Sequence, residues 1–484
     1  MRRTKIVATM GPASSDPAVI ARMIRAGMDV ARLNFSHGTH AEHRRVIERI
    51  RAASRKAGRP VGLLLDLQGP RLRLGEFAAG RVEVERGAEV VVTPRRVLGS
   101  AHRIPIVYSD LMRDVTVGDR ILIADGLVEL RVVGRGKEGL KCRVITGGEL
   151  SDHKGVNFPG VRLSAPSITP KDRADVEFGV SMGVDGIALS FVRHASDLTG
   201  LRRLLRGAQR PPAVIAKIER REAIENLDSI LDAADCVMIA RGDLGVEYPP
   251  ERVPILQKRI IERANHREVL VITATQMLES MVHAARPTRA EASDVANAIF
   301  DGTDAVMLSA ETAVGDYPER SIQTMARIAA EADEFSAGAR SPRRASDGIA
   351  SALTSPTAAL AHTAVQAARE IRARALVIFT HTGYSARLVS KSRPAGPIFA
   401  LTPLESTCRR LTLTWGVQPV RVPRWRTAEG MIETGVKMLQ GKKILQRGDW
   451  VVAIAGTTTQ AGGTNLLRII QLGRRPDQVP PGRR

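Results

Sequence analysis

The feature that most constrains this chain is a rhythm. Short apolar, β-rich runs alternate with segments of helical spacing over residues 1–74, and again from Ser164 onward. Lys5–Met10, Val30–Phe35 and Val61–Leu67 read as strands, separated by helical patterns at Pro17–Ala26 and His40–Ala57. Gly186–Phe191, Ala213–Ile218, Cys236–Ala240, Val269–Ala274 and Ala305–Leu308 continue the series. Strands joined through helices pair in parallel, because the crossover returns the chain to the same end of the sheet. Three strands and then five make eight. The pieces 1–74 and 164–335 together come close to the ~250 residues typical of a (β/α)8 TIM barrel.

From Gly75 to about Leu163 the pattern changes to short alternating strands and glycine turns, such as "GRVEVERGAEVVVT" and "VGDRILIADGLVELRVV", with no evident helix. That predicts a small β-barrel domain, 75–163, inserted after the third strand. Residues 336–355 are rich in Ser, Ala and Arg and read as a linker. Residues 356–484 read as a C-terminal α/β domain. It has a helix at Pro356–Arg369, strands at Ala375–Phe379, Ile398–Leu401 and Val451–Ile454, and a glycine-rich stretch at 456–463.

Composition narrows the function. A chain of 484 residues exceeds one ordinary core. No apolar run reaches the ~18–20 residues of a membrane span, and the N-terminus lacks the apolar stretch of a secretory signal. Cys142, Cys236 and Cys408 lie far apart without metal-ligand spacing, which favours a reducing, cytoplasmic setting. The net charge of +21 could serve a nucleic acid, an anionic substrate, or nothing beyond Arg-rich usage. The arginines are spread along the chain and aromatics are only 3%, so a solvated basic surface is expected rather than a specific nucleic-acid reader.

Barrel strands should be apolar, so polar groups at their C-terminal ends are informative. Arg32, Asn34 and Ser36 alternate along one face of the second strand. The third ends at Asp66, the fifth in Lys217-Ile218-Glu219, the sixth in Arg241-Gly242-Asp243, the seventh at Thr275, and the eighth in Ser309-Ala310-Glu311-Thr312. Glu219 and Asp243 are hard oxygen ligands suited to Mg²⁺ or Mn²⁺. Lys217 beside them suits a developing enolate or a phosphoryl group in transfer. Arg32 can grip a phosphate in bidentate fashion. Gly242 lets its N–H approach a carboxylate, and the Thr275 and Ser309 hydroxyls could relay a proton through water.

These segments resemble the pyruvate kinase family along nearly the whole chain. The resemblance rests on "TKIVATMGPAS" (4–14), "GMDVARLNFSHG" (27–38), "IADGL" (123–127), "KGVNFPG" (154–160), "AKIER" (216–220), "MIARGDLGVE" (238–247), "ATQMLESM" (274–281), "RPTRAEASDVANA" (286–298) and "DAVMLSAETAVGDYP" (304–318). It implies an enzyme that converts phosphoenolpyruvate and ADP into pyruvate and ATP. Lys217 would neutralise the phosphoryl group and the enolate, and Glu219 and Asp243 would hold the divalent ion. Arg32 would contact the phosphoryl group. Thr275, with the backbone at Gly242 and Asp243, would bind the substrate carboxylate. Arg73, Lys154 and His37 would contact the nucleotide, with the inserted domain as a lid. Thr275 and Ser309 would act in protonating enolpyruvate. A homotetramer is the implied assembly.

The resemblance also implies a monovalent-cation site at Asn34, Ser36, Asp66 and the Leu67 carbonyl. Family members that need K⁺ carry Glu where this chain has Arg71, so K⁺ independence is expected here. The alternative is an Arg71 that points to solvent and a K⁺ still bound. In the C-terminal domain, Thr380, Thr382, Gly383 and Ser385 open a helix and could cradle the phosphate of a sugar-phosphate or nucleotide effector. An unregulated loop or a subunit contact is the alternative there. The second effector segment, Gly456-Thr457-Thr458-Thr459-Gln460, lacks the Trp and Arg of sugar-bisphosphate-regulated members. Pyruvate-forming lyases share a metal-carboxylate barrel but do not account for the lid, Lys154 or Arg73. A basic scaffold does not account for the intact set Lys217, Glu219, Asp243 and Thr275.

Overall fold

The computed structural model describes residues 2–124, 126–338, 355–424, 427–456 and 463–473. Eight parallel strands close into a barrel: β1 Lys5–Met10, β2 Val30–Asn34, β3 Gly62–Asp66, β4 Gly186–Leu189, β5 Ala213–Ile218, β6 Cys236–Ala240, β7 Leu270–Ala274 and β8 Ala305–Leu308. Each pairs with its sequence neighbours, and β1 closes on β8 with Lys5 opposite Ala305. The strands are almost wholly buried, as a parallel sheet sheathed in helices requires. The helices start where the sequence signals them. Asp16 caps Pro17–Ala26, and Thr39, Thr169 and Thr288 each form a capping box with the acidic residue three positions on.

The floor of the barrel carries a repeated device. Each even strand is preceded by an aspartate: Asp29, Asp185, Asp235 and Asp304. Each accepts a main-chain N–H from the odd strand before it: Ile6 at 2.9 Å, Leu63 at 2.9 Å, Val214 at 2.8 Å and Val271 at 2.8 Å. Each also meets a cation. Arg2 and Arg59 flank Asp29, Arg51 and Arg409 flank Asp185, Arg202 meets Asp235, and Lys391 and Arg393 flank Asp304. Arg409, Lys391 and Arg393 come from the C-terminal domain, so the floor is where that domain docks.

The insertion is a half-barrel. A six-stranded sheet runs from an edge at Arg103–Pro105 to an edge at Val156–Asn157, and Arg81–Val84 pairs with Gly148–Ser151 beside it. One helical turn, Leu111–Asp114, corrects the expectation of a helix-free insert. Its Asp114 accepts from Ser164 N at 2.6 Å and holds the segment that returns to the barrel. The C-terminal domain is a five-stranded sheet: 417–421, 398–402, 375–379 and 450–456 in parallel, and Thr464–Gln471 antiparallel at the edge. Helix Ala428–Gly441 and strands 417–421 and 464–471 were not read from the sequence. Of the expected linker, residues 336–338 finish helix Pro318–Gly338, Ser355 caps the next helix, and 339–354 lie outside the described residues. Asp125 and Thr457–Gln460 lie outside them too. Among the described residues no helix is long and apolar enough to cross a membrane, and all three cysteines are free and buried.

Candidate functional site

The top of the barrel gathers the strand-end residues. Arg32 Nε donates to Asp66 Oδ2 at 2.7 Å, and its Nη1 donates to Thr9 Oγ1 at 3.0 Å. Lys217 Nζ stands 2.7 Å from Glu219 Oε1, 2.8 Å from Ser190 Oγ and 3.4 Å from Asp66 Oδ1. Glu219 is anchored by the Phe191 N–H at 2.8 Å. Asp66 and Glu219 are each only 1% exposed, so two carboxylates and two cations share a desolvated space. Burial alone would lower the Lys217 pKa, but Asp66, Glu219 and Asp243 outweigh it and raise it well above the ordinary lysine value. Burial would likewise raise Asp66, but Lys217 and Arg32 hold it below the usual carboxylate range. Both groups are charged at neutral pH. Asp66 Oδ1 has only the long 3.4 Å ion pair to Lys217 and no closer hydrogen bond.

Arg241, Gly242 and Asp243 do not extend β6. They form the first turn of a helix, Arg241–Glu247, which begins where the strand stops. That turn holds the end of β7. Arg241 Nη2 donates to the Thr275 carbonyl at 2.7 Å, and the Gly242 N–H donates to Thr275 Oγ1 at 2.8 Å. The expected free N–H at Gly242 is therefore occupied by the threonine hydroxyl. Thr275 itself has φ +66 and Gln276 φ +52. A left-handed β-branched residue costs on the order of 1–3 kcal/mol and marks a position held for its side-chain direction. At β8, Ser309 N donates to Glu311 Oε2 at 2.6 Å and Leu278 N donates to Glu311 Oε1 at 3.0 Å. Burial pushes the Glu311 carboxyl up.

Two residues of this ring are not singled out by the sequence, Thr9 and Ser190, and neither is the clamping role of Glu311. Thr9 is the penultimate residue of β1 and Ser190 follows β4, the two strands given no polar end above. Each hydroxyl does the same work. Thr9 Oγ1 donates to the Leu308 carbonyl at 2.8 Å while accepting from Arg32. Ser190 Oγ donates to the Leu67 carbonyl at 2.7 Å while accepting from Lys217.

A cleft open to solvent lies between this surface and the insertion, with Arg71, Asn157, Phe191, Arg193, Arg220 and Asp243 on its walls. Two extended connections join the insertion to the barrel and pair with each other. Leu74 N donates to Lys154 O at 2.9 Å, Val156 N donates to Leu72 O at 3.0 Å, and Arg73 Nη1 reaches His153 O at 2.8 Å. Arg193 donates to the carbonyls of Leu163 and Ala165, and Arg220 to that of Val161. Lys154 and His37 are exposed near the mouth. Partial burial and then the charges of Arg71, Arg73 and Arg32 lower the His37 pKa, which places these cations around one rim. Arg71 is exposed there rather than enclosed with Asn34, whose Oδ1 accepts from Ser36 N at 3.1 Å. Glu219 and Asp243 supply the hard oxygen donors a divalent ion takes, and Asp243 lies on the wall of the open cleft. Among the described residues no group of three or more His, Cys, Asp or Glu forms a closed metal cage.

The family model described as "Pyruvate kinase, barrel domain" matches residues 1–322, more than half of the chain. The chain belongs to the pyruvate kinase family. A second model, "Pyruvate kinase, alpha/beta domain", matches residues 358–470. Pyruvate kinases of Staphylococcus aureus strains MRSA252 and NCTC 8325 / PS 47 are each 44% identical over 485 residues, covering 100% of this chain and 82% of theirs. A crystal structure of a pyruvate kinase from Cryptosporidium parvum superimposes with a TM-score of 0.92 at 35% identity, covering 97% of this chain and 96% of that one. As a pyruvate kinase the chain is a phosphotransferase, and the barrel, half-barrel insertion and α/β domain above are its pyruvate kinase architecture.

Proposed function

We propose that the cleft transfers the phosphoryl group of phosphoenolpyruvate to ADP, giving pyruvate and ATP. The observation that carries this is Lys217 and Arg32 converging on one desolvated space beside Glu219 and Asp243, beneath the insertion. Arg32 grips the phosphoryl oxygens with the fork its Thr9 and Asp66 contacts fix. A terminal oxygen of ADP attacks phosphorus, and the bond to the enol oxygen breaks, leaving its electron pair as enolate. Lys217 lies where that charge grows, in a setting where a fixed cation is worth far more than in water. A divalent ion, Mg²⁺ or Mn²⁺, held by Glu219 and Asp243 supplies further charge neutralisation when bound. Thr275, turned by its left-handed backbone, holds the substrate carboxylate, and Thr275 with Ser309 relays a proton through water to the enolate carbon. Arg73, Lys154 and His37 lie at the rim that would receive the nucleotide. Closure of the insertion over the cleft would exclude the water that otherwise hydrolyses the donor.

Turnover is also proposed not to require K⁺. Arg71 puts a cation on the cleft rim where K⁺-requiring members carry Glu, and the Leu67 carbonyl already accepts from Ser190 Oγ at 2.7 Å. We also propose a phosphorylated-effector site at the start of helix Tyr384–Lys391. Thr380 Oγ1 accepts from Gly383 N at 2.9 Å and Thr382 Oγ1 from Tyr384 N at 3.3 Å, so hydroxyls already occupy two of the N–H groups, and Ser385 is buried. In its favour, Thr382, Gly383 and Arg387 face an ≈ 890 Å³ space against the barrel floor. The test is pyruvate formation from phosphoenolpyruvate, ADP and Mg²⁺ in Na⁺-only and then K⁺ buffer. Turnover in both is expected. A rise of about tenfold or more on adding KCl would overturn K⁺ independence, since that corresponds to a full interaction's worth of barrier. Absence of turnover in both, with Mn²⁺ and sugar phosphates also tried, would overturn the reaction.

A further inference from the structure

We infer that Ser190 is a positioning residue for Lys217, and that it ties the aim of that ammonium to the Leu67 carbonyl at the end of β3. The inference rests on the reading of Lys217 given above. An ammonium has three donors and no preferred direction of its own, so its neighbours decide where it points. Here those neighbours are Glu219 at 2.7 Å, Ser190 at 2.8 Å and Asp66 at 3.4 Å. The two carboxylates neutralise the charge as they hold it, which spends it on the resting enzyme. Glu219 is also a proposed ligand of the divalent ion, so it is the partner Lys217 is least able to keep. Ser190 is the neutral partner: it directs the ammonium without cancelling its charge.

The hydroxyl is fixed in turn. Its proton is committed to Leu67 O at 2.7 Å, so its lone pairs must face Lys217. Ser190 is only 2% exposed, which keeps water from substituting for it. It follows β4 and spans from the end of β3 to the side chain of β5, three adjacent strands in the barrel. The same construction recurs across the barrel, where Thr9 takes Arg32 and donates to Leu308 O. Both substrate-facing cations are thus aimed by a strand-end hydroxyl whose proton is pinned to the next strand.

The test is steady-state kinetics with phosphoenolpyruvate varied, on Ser190→Ala, Ser190→Cys and Ser190→Thr. A neutral hydrogen bond that matters mainly in the transition state lowers kcat with little change in KM. Ser190→Ala and Ser190→Cys, the second keeping the volume with a weak acceptor, should each lose about tenfold in kcat with KM within about twofold. Ser190→Thr, which restores the hydroxyl, should recover to within about threefold of wild type. A crystal structure of Ser190→Ala should show Lys217 Nζ drawn onto Asp66 at hydrogen-bond distance. Either Ala or Cys retaining kcat within about twofold, or a loss confined to KM, would overturn the inference. Lys217→Met separates the two readings. If it is inactive while the Ser190 variants run at the wild-type rate, only the positioning role fails. If it turns over normally, the reading of the site fails.

Discussion

The two ends of the barrel use the same side chains for opposite purposes. On the floor, four aspartates each accept a strand N–H and meet at least one cation. At the top, Asp66 Oδ1 has only Lys217 at 3.4 Å, Thr275 sits in a left-handed conformation, and Lys217 is shared among three partners. Saturated carboxylates stabilise and have nothing left to offer a ligand. Under-satisfied ones cost stability and leave interactions open for a substrate. The contrast assigns binding and chemistry to the top, and folding and domain docking to the floor.

The sharpest way to break this contrast is to remove a charge at each end. Glu219→Gln should lower kcat by about 10²–10³, the scale of losing one electrostatic element of a transition state. Its melting temperature should stay within a few degrees of wild type, because Gln still accepts from the Phe191 N–H. Unchanged turnover would place the ion elsewhere. On the floor, Asp304→Ala leaves Lys391 and Arg393 buried without their partner. Denaturant unfolding should show a loss of about 3–5 kcal/mol, as for breaking a buried pair. A loss under about 1 kcal/mol would show that the floor pairs do not hold the domains together.

A smaller effect comes from pH. Burial would raise Asp29, but Arg2, Lys5 and Arg59 outweigh it and bring its pKa to about 2 from a model-peptide 3.8. The unfolded chain therefore takes up the proton first as pH falls. The contribution is full above pH about 4 and disappears toward pH 2, on the order of 2 kcal/mol in all. Asp29→Asn should flatten acid unfolding over that window, and an unaltered acid limb would contradict the assignment. Least of all, Thr9→Val should raise KM for phosphoenolpyruvate roughly fivefold, about one hydrogen bond, while Arg32 keeps Asp66. No change would mean that Asp66 alone aims Arg32.

The sequence was most legible where periodicity and chemistry coincide. Lys5–Met10, Ala213–Ile218, Cys236–Ala240 and Ala305–Leu308 stand at the expected bounds because each is a mainly apolar run between turn signals. Arg32, Asp66, Lys217 and Glu219 were legible as polar residues where a barrel strand should be apolar. Thr9 and Ser190 were not, since a lone hydroxyl at a strand end looks like an ordinary cap and its double bond to cation and carbonyl exists only in three dimensions. The floor aspartates recur before alternate strands, as Gly-Met-Asp, Gly-Val-Asp, Ala-Ala-Asp and Gly-Thr-Asp, but their partners come from distant arginines and lysines. Edge strand Thr464–Gln471 escaped because most of its residues are half-buried and its apolar alternation is weak. Arg241 was read as part of a strand end, whereas a helix starting without a linker turned it into the brace of Thr275.

The most direct test pairs one substitution at both ends: Lys217→Met and Lys391→Met, each assayed for pyruvate formation and for thermal unfolding. Lys391 is buried against Asp304, Lys217 is largely buried against Glu219 and Asp66, and Met fills much of the same volume. The account predicts that Lys217→Met still folds but loses turnover by about 10³, while Lys391→Met melts lower and keeps its turnover per folded enzyme. Turnover retained in Lys217→Met, or abolished in a folded Lys391→Met, would contradict the division of the barrel into a reactive top and a structural floor.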